Sequence, residues 1–316
     1  MPFRVAMLFH PSHRVPDLGE AEAFFARVFG RPSRMMHEVV PQAVKDATPD
    51  YPRDYCTFTP IQDVLFDTID PKRYVVAGEQ RYPTATQPRL SSFGWYVEEI
   101  EDLYTVLRRH GIRVQDQLNR IAGGDEPPRG AAATRVLFWA LPEDAGLAYE
   151  FFPGETGFHG DDRLEDGWTL PPVADDDPLG IERCSHHTVL TAAPARALRL
   201  VVDVLGGEVI HEGDNALLGT HSTFVHLAGS TLEYATPTRA GTPAGAELAR
   251  SLPEDSYHAI SWKVADLDRV ADHLAACDVA IRRRTEDTIV TDPDTSLGVP
   301  WGFTTRLIAN DPRKVA

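Results

Sequence analysis

Cysteine is scarce in this chain, and what there is of it is scattered. Cys56, Cys184 and Cys277 are the only three. An odd number at such separations makes neither a disulfide framework nor a zinc-type cluster, so a reducing compartment, the cytoplasm, is expected. Long apolar runs are lacking too. None approaches the roughly 20 residues that a membrane helix needs, and Arg4 interrupts the N-terminal stretch too early for a secretory leader. Positive charge is short: 31 Lys and Arg face 47 Asp and Glu, a formal net charge of −16. That balance argues against nucleic acid and anionic membranes as partners. A small-molecule substrate is the expected partner, and a homo-oligomer is left open.

What is present suffices for packed cores, since 42% of the 316 residues are hydrophobic. The length suggests about two domains. Four stretches repeat one phrase: Phe9–Leu18, Ser92–Ile100, Ser185–Thr191 and Tyr257–Leu267. Each reads as a strand running into an amphipathic helix. In the first, Ala21, Phe24, Phe25, Val28 and Phe29 form a helical stripe. Asp17 and Glu20 suit its N-terminal cap, and Gly30 suits its stop. The second has Leu103, Val106 and Leu107 before Gly111; the third has Leu198, Val201, Val202 and Leu205 before Gly206. In the fourth, Asp266 can cap a helix carrying Leu267, Val270 and Leu274, with Cys277-Asp278 in place of the stop glycine.

Short β-type runs follow each helix. The first set is Met36–Val40, then Tyr55–Thr59 or Val64–Ile69, then Tyr74–Ala77. The second is Arg113–Gln117, Thr134–Leu141 and Leu147–Phe152. Pro41–Arg53 reads as a long loop. The unit is β-α-β-β-β, four times over, which predicts an α+β fold. Pro153–Gly180 has linker composition, and the acidic run Asp175–Asp177 reads as solvated. The expected division is one domain over 1–155, a linker over 156–180 and a second domain over 181–316.

Four such modules in two pairs resemble the vicinal oxygen chelate superfamily, which includes glyoxalases, bleomycin resistance proteins and type I extradiol dioxygenases. The residues carrying the resemblance are Val15-Pro-Asp17-Leu18, Val97-Glu-Glu99-Ile100 and Val264-Ala-Asp266-Leu267. In that family each pair of modules closes a cup of strands, and metal ligands come from the opening and last strands. The resemblance implies a metal set of His187, Glu233 and His258 in the second domain, with Gly302 leaving the fourth position without a ligand. Strand alternation lets only one of His186 and His187 face the cup; the phrase His187-Thr-Val-Leu points to His187. In the first domain the matching positions hold His10, Ser92 and Glu150, and the fourth falls near Ala77 or Gly78, which implies a degenerate site.

Two imidazoles and a carboxylate are the facial set of open non-haem iron sites. Fe(II) is therefore the first expectation for a divalent metal, with Mn, Ni, Co or Zn also compatible. The function expected first is an extradiol-type ring-cleaving dioxygenase. A glyoxalase-like isomerase, epimerase, lyase or hydrolase using the metal as a Lewis acid stands beside it, as does a non-catalytic resistance or ligand-binding protein. His226 is a candidate acid or base. The plainer readings are a strand histidine bonded to backbone, a solvent-facing strand glutamate for Glu233, and core tryptophans for Trp95, Trp139, Trp262 and Trp301. His13, His37, His110, His159 and His273 read as surface or loop residues.

Overall fold

The computed structural model describes residues 2–131, 135–239 and 241–313. Two mixed sheets of eight strands each carry the fold. Across the first, the strands run Arg34–Met35, Cys56–Ile61, Val64–Ile69, Arg4–Arg14, Arg89–Glu98, Glu150–Pro153, Phe138–Ala140 and Val114–Gln115. Across the second they run Glu208–Asn215, Thr220–Leu227, Ser230–Pro237, Ile181–Leu190, Ser256–Val264, Trp301–Thr304, Thr288–Thr291 and Ile281–Arg284. The orders match strand for strand. In both sheets the two opening strands lie antiparallel at the centre, and each runs parallel to its own module's last strand.

Local chemistry sets the helices between these strands. The Asp17 side chain accepts from the Glu20 amide at 3.1 Å, and Gly30 ends the segment at φ 64°, a conformation that costs a residue without Cβ little. Leu18–Phe24 is α-helical and then widens into a π-type turn over Phe25–Phe29. Asp266 caps Leu267–Ala276 by accepting from two amides, and Asp278 takes the left-handed position (φ 56°) that glycine fills elsewhere.

One apolar layer serves both sheets. Phe24, Phe25, Phe29 and Phe66 from the first half surround Trp301 from the second, with ring centroids 5.0–6.5 Å apart. The Tyr149 and Tyr234 hydroxyls meet at 3.0 Å across the same layer. Trp95, Trp262 and Trp301 belong to this core, whereas Trp139 faces a cavity. No helix among the described residues is long and apolar enough to cross a membrane.

Several expectations need correction. Met36–Val39 is a short helix, the strand there being Arg34–Met35, and the expected loop over 41–53 contains the helix Gln42–Ala47. Tyr55–Thr59 and Val64–Ile69 are not alternatives: Cys56–Ile61 and Val64–Ile69 form a paired hairpin. The last strand of the first module is therefore Val64–Ile69, while Val75–Val76 belongs to a separate two-stranded hairpin. Of the expected strand at Thr134, that residue lies outside the described residues, and the strand runs Phe138–Ala140. The acidic run is not wholly solvated, because Asp177 is buried against Arg31 and accepts from the Leu179 and Gly180 amides. His13 is fully buried beneath Phe66 and bonded to the Leu297 carbonyl, and His273 bonds the Val28 carbonyl.

The repeat extends past the strands to a paired Asp-x-Arg device. Arg163 binds Asp161 and reaches the backbone carbonyls of Phe9 and Asp63. Arg313 binds Asp311 and reaches those of Ser185 and Gly229. Phe9 and Ser185 stand at the same place on their opening strands, and Asp63 and Gly229 each precede a module's last strand. Each arginine thus ties an opening strand to its parallel neighbour.

Candidate active site

Register places equivalent residues of the two cups side by side. Ser12 pairs with Asp67 in the first sheet, as Thr188 pairs with Glu233 in the second. His10 pairs with Gly94 and His186 with Ser261; Glu150 stands beside Gly94 as Gly302 stands beside Ser261. His10 therefore matches His186, Asp67 matches Glu233, and Glu150 matches Gly302.

The expected set in the second half is not brought together. A bulge between Cys184 and His186 resets the alternation of that opening strand. His187 faces the shared apolar layer, edge-on to Phe93, with Nδ1 2.7 Å from the Tyr257 hydroxyl and Nε2 3.5 Å from Cys184 Sγ. It is His186 whose Nε2 lies 3.6 Å from Glu233. His258 occupies another bulge, between Tyr257 and Ala259, and its Nδ1 sits 2.8 Å from Glu247 on the helix Pro243–Ser251, an element the sequence reading missed. His226 shares a strand face with Ser222 and Phe224 but lies at the end near Asp311 and Arg313, where burial and then Arg313 hold its pKa low.

Glu233 is also fully used. One oxygen accepts from Thr188 (2.6 Å), the other from Ser222 (2.7 Å) and Asn215 (3.0 Å). A side chain at Gly302 would run into Ser261, whose Oγ lies 2.3 Å from where a Cβ would stand. The second cup is closed around its own hydrogen bonds, and its donors do not fit a metal.

The first cup differs. His10, Asp67 and Glu150 line a cavity of about 80 Å³ walled by Tyr51, Tyr55, Tyr74, Tyr82, Trp139 and Phe158. His10 stands between the two carboxyl groups, with Nδ1 3.8 Å from Asp67 Oδ2 and Nε2 3.6 Å from Glu150 Oε2. Asp67 Oδ1 is buried without a hydrogen-bond partner. Burial, and then Glu150, raise the Asp67 carboxyl well above its ordinary range, and burial raises Glu150 to about 7. Burial, and then Arg163, push His10 down to about 3. Arg81 and a Trp139 hydrogen bond offset this burial at Glu150 in part, as a Cys56 hydrogen bond does at Asp67, and burial still outweighs them, as it would at a cation site. Among the described residues no three His, Cys, Asp or Glu side chains already converge on one point. The fit to a divalent ion is therefore one of donor chemistry: one imidazole and two carboxylates, with Asp67 Oδ1 left without a partner.

The rim is ordered. Gln117 donates from Nε2 to the Tyr51 and Tyr74 hydroxyls, both at 2.6 Å, and the Tyr55 and Tyr74 rings stack at 3.8 Å. Burial raises all three phenols above their ordinary value, so they remain neutral donors. Tyr82 lines this cavity and also a much larger cleft of about 1870 Å³, which contains His258.

No family model matches the chain, and no curated protein matches it. Solved structures do. A Mn(II)-bound glyoxalase from Novosphingobium aromaticivorans matches over 99% of this chain and 86% of its own, at 14% identity and a TM-score of 0.57. BphC, a halotolerant catechol dioxygenase, matches over 95% and 87%, at 12% identity and a TM-score of 0.53. The chain shares the vicinal oxygen chelate fold with both, in its four-module form.

Proposed function

We propose that the chain is a metal-dependent enzyme acting on a small organic substrate in the N-terminal cup, with His10, Asp67 and Glu150 holding a divalent ion. The observation that carries this reading is the cavity in which those three donors stand with Asp67 Oδ1 unpartnered. The whole-chain likeness to a Mn(II)-bound glyoxalase supports a metal in this fold. One imidazole and two carboxylates suit an oxygen-preferring ion such as Mn(II). Such an ion supplies Lewis-acid polarisation of substrate oxygens.

The chain's own residues supply the rest. Gln117 fixes the phenols of Tyr51 and Tyr74, so their hydroxyls are pre-positioned as hydrogen-bond donors at the rim. Aromatic rings wall the reacting end. A cavity of about 80 Å³ admits only a small group, so the remainder of a substrate would extend into the larger cleft beyond Tyr82.

Isomerase or lyase chemistry fits this donor set better than ring cleavage does. The expected dioxygenase set needs two imidazoles and one carboxylate, and neither cup gathers them. Elemental analysis of untagged protein tests the metal. Wild type is expected to carry one divalent ion per chain, with His10→Ala, Asp67→Asn and Glu150→Gln each depleted and His187→Ala and His258→Ala unchanged. Full metal content in the first three would sink the assignment. Oxygen uptake with a catechol panel under Fe(II) would restore the ring-cleaving reading.

A further inference from the structure

Two arginines near Tyr82 lack the partners that buried guanidiniums ordinarily have. Arg81 is 2% exposed, and its Nε and Nη2 have no hydrogen-bond partner; nor has Arg14 Nε. Neither side chain has an ion pair within 4 Å among the described residues; Glu150 acts on Arg81, and Glu254 on Arg14, only from farther away. Their guanidinium carbons lie 4.7 and 4.0 Å from the centroid of the same Tyr82 ring, and Arg81 also lies 4.3 Å from that of Trp139. Burial lowers Arg14 to about 10, with Tyr82 opposing it and then Arg89 and Arg81 adding to it.

Aromatic faces offset part of this cost, but they leave N–H groups unmade. The backbone holds the pair in place. Arg14 ends its strand opposite Arg89, and Arg81 is fixed through its amide to Tyr74 and its carbonyl to Asn119. Both side chains line the large cleft, and Tyr82 is the wall between that cleft and the cavity of His10, Asp67 and Glu150.

We infer that Arg14 and Arg81 form an oxyanion-binding site that receives a carboxylate or phosphate group of the substrate, whose reacting end passes Tyr82 into the cavity. The substrate role rests on the proposed function; the anion site does not. Planar guanidiniums with free N–H groups match carboxylate and phosphate oxygens in geometry as well as charge. A substrate held at one end by charge and at the other within a small cavity is oriented before it reacts.

Calorimetric titration of the full chain at low ionic strength tests this, with inorganic phosphate, acetate and neutral acetamide as probes. At least one anion should bind saturably and acetamide should not; the tighter anion identifies the group. Arg81→Met and Arg14→Met should each weaken binding at least tenfold, whereas His10→Ala should leave it unchanged while losing the metal. That last variant separates failure of the anion site from failure of the proposed function. Should Arg81→Met fail to fold, since it also removes the cation that acts on Glu150, Arg14→Met carries the same test. Absence of saturable binding by both anions, or undiminished binding in the arginine variants, would overturn the inference.

Discussion

Asp67 holds in the first cup the position that Glu233 holds in the second, each beside a hydroxyl residue of the opening strand, Ser12 and Thr188. The two carboxyl groups have opposite fates. Glu233 spends both oxygens on three side-chain donors, whereas Asp67 keeps one oxygen buried and unbonded. The same fold position is a brace in one half and an open donor in the other.

Removing the brace should therefore cost stability and not metal. Glu233→Ala strands the Thr188 and Ser222 hydroxyls and the Asn215 amide, and losing such bonds costs on the order of 3 kcal/mol together. Urea denaturation should register that loss, with metal content held at the wild-type level. A metal-depleted Glu233→Ala protein would place the ion in the wrong cup.

Asp67→Asn should behave in the reverse sense. It removes a buried carboxyl group that burial disfavours and keeps the shape, so the metal-free variant should be as stable as metal-free wild type or more so. Its metal content should fall at least tenfold. Thermal melts with and without a chelator check both, and a variant that melts lower without metal would contradict the reading that burial disfavours this carboxyl group.

Acid should destabilise the chain through its buried histidines. Burial lowers His13 to about 4 and His187 to about 3, the latter with help from His186 and Arg313. Between the ordinary value near 6.5 and those folded-state values, the unfolded chain binds protons that the folded chain does not, so stability falls as pH falls. At pH 5 each group should cost about 2 kcal/mol relative to pH 7. Denaturation at the two pH values should show this, and His187→Gln should flatten part of the slope. An unchanged slope would mean that His187 gains a proton freely in the fold.

The Asp-x-Arg pairs should matter equally at the two ends of the repeat. Arg163→Ala and Arg313→Ala each leave a buried aspartate, Asp161 or Asp311, without its cation, at a cost of about 3 kcal/mol. Chemical denaturation of both variants compares them. A loss in one alone would show that the device is structural in only one half.

Much of the fold was legible because local chemistry and global pattern agree. Asp17, Gly30 and Asp266 do in the structure what their positions foretold. The site was less legible, for two physical reasons. Bulges beside His186 and His258 break the simple alternation by which one infers which side chain faces the cup, and no sequence rule marks them. Asp67 does not stand out in the sequence, because the pattern predicts the module's last strand at Tyr74–Ala77 and the chain forms it at Val64–Ile69. The signal that would have found it is the run Val64-Leu-Phe-Asp-Thr-Ile69, where a lone acid interrupts an apolar strand as Glu233 interrupts Thr231-Leu-Glu-Tyr234. Arg81 gives no sequence signal at all, since its lack of a partner exists only once Tyr82 and Trp139 have closed around it.

The aromatic layer around Trp301 bears on how such a duplicated chain ages. Phe24, Phe25 and Phe29 complete their packing on a residue from the other half. A copy whose cup has closed on itself cannot then be discarded, because its loss would bare the flank of the copy that still holds open donors. Substitution within the C-terminal cup is tolerated only where it spares that shared surface, so neither half can be lost without baring the other.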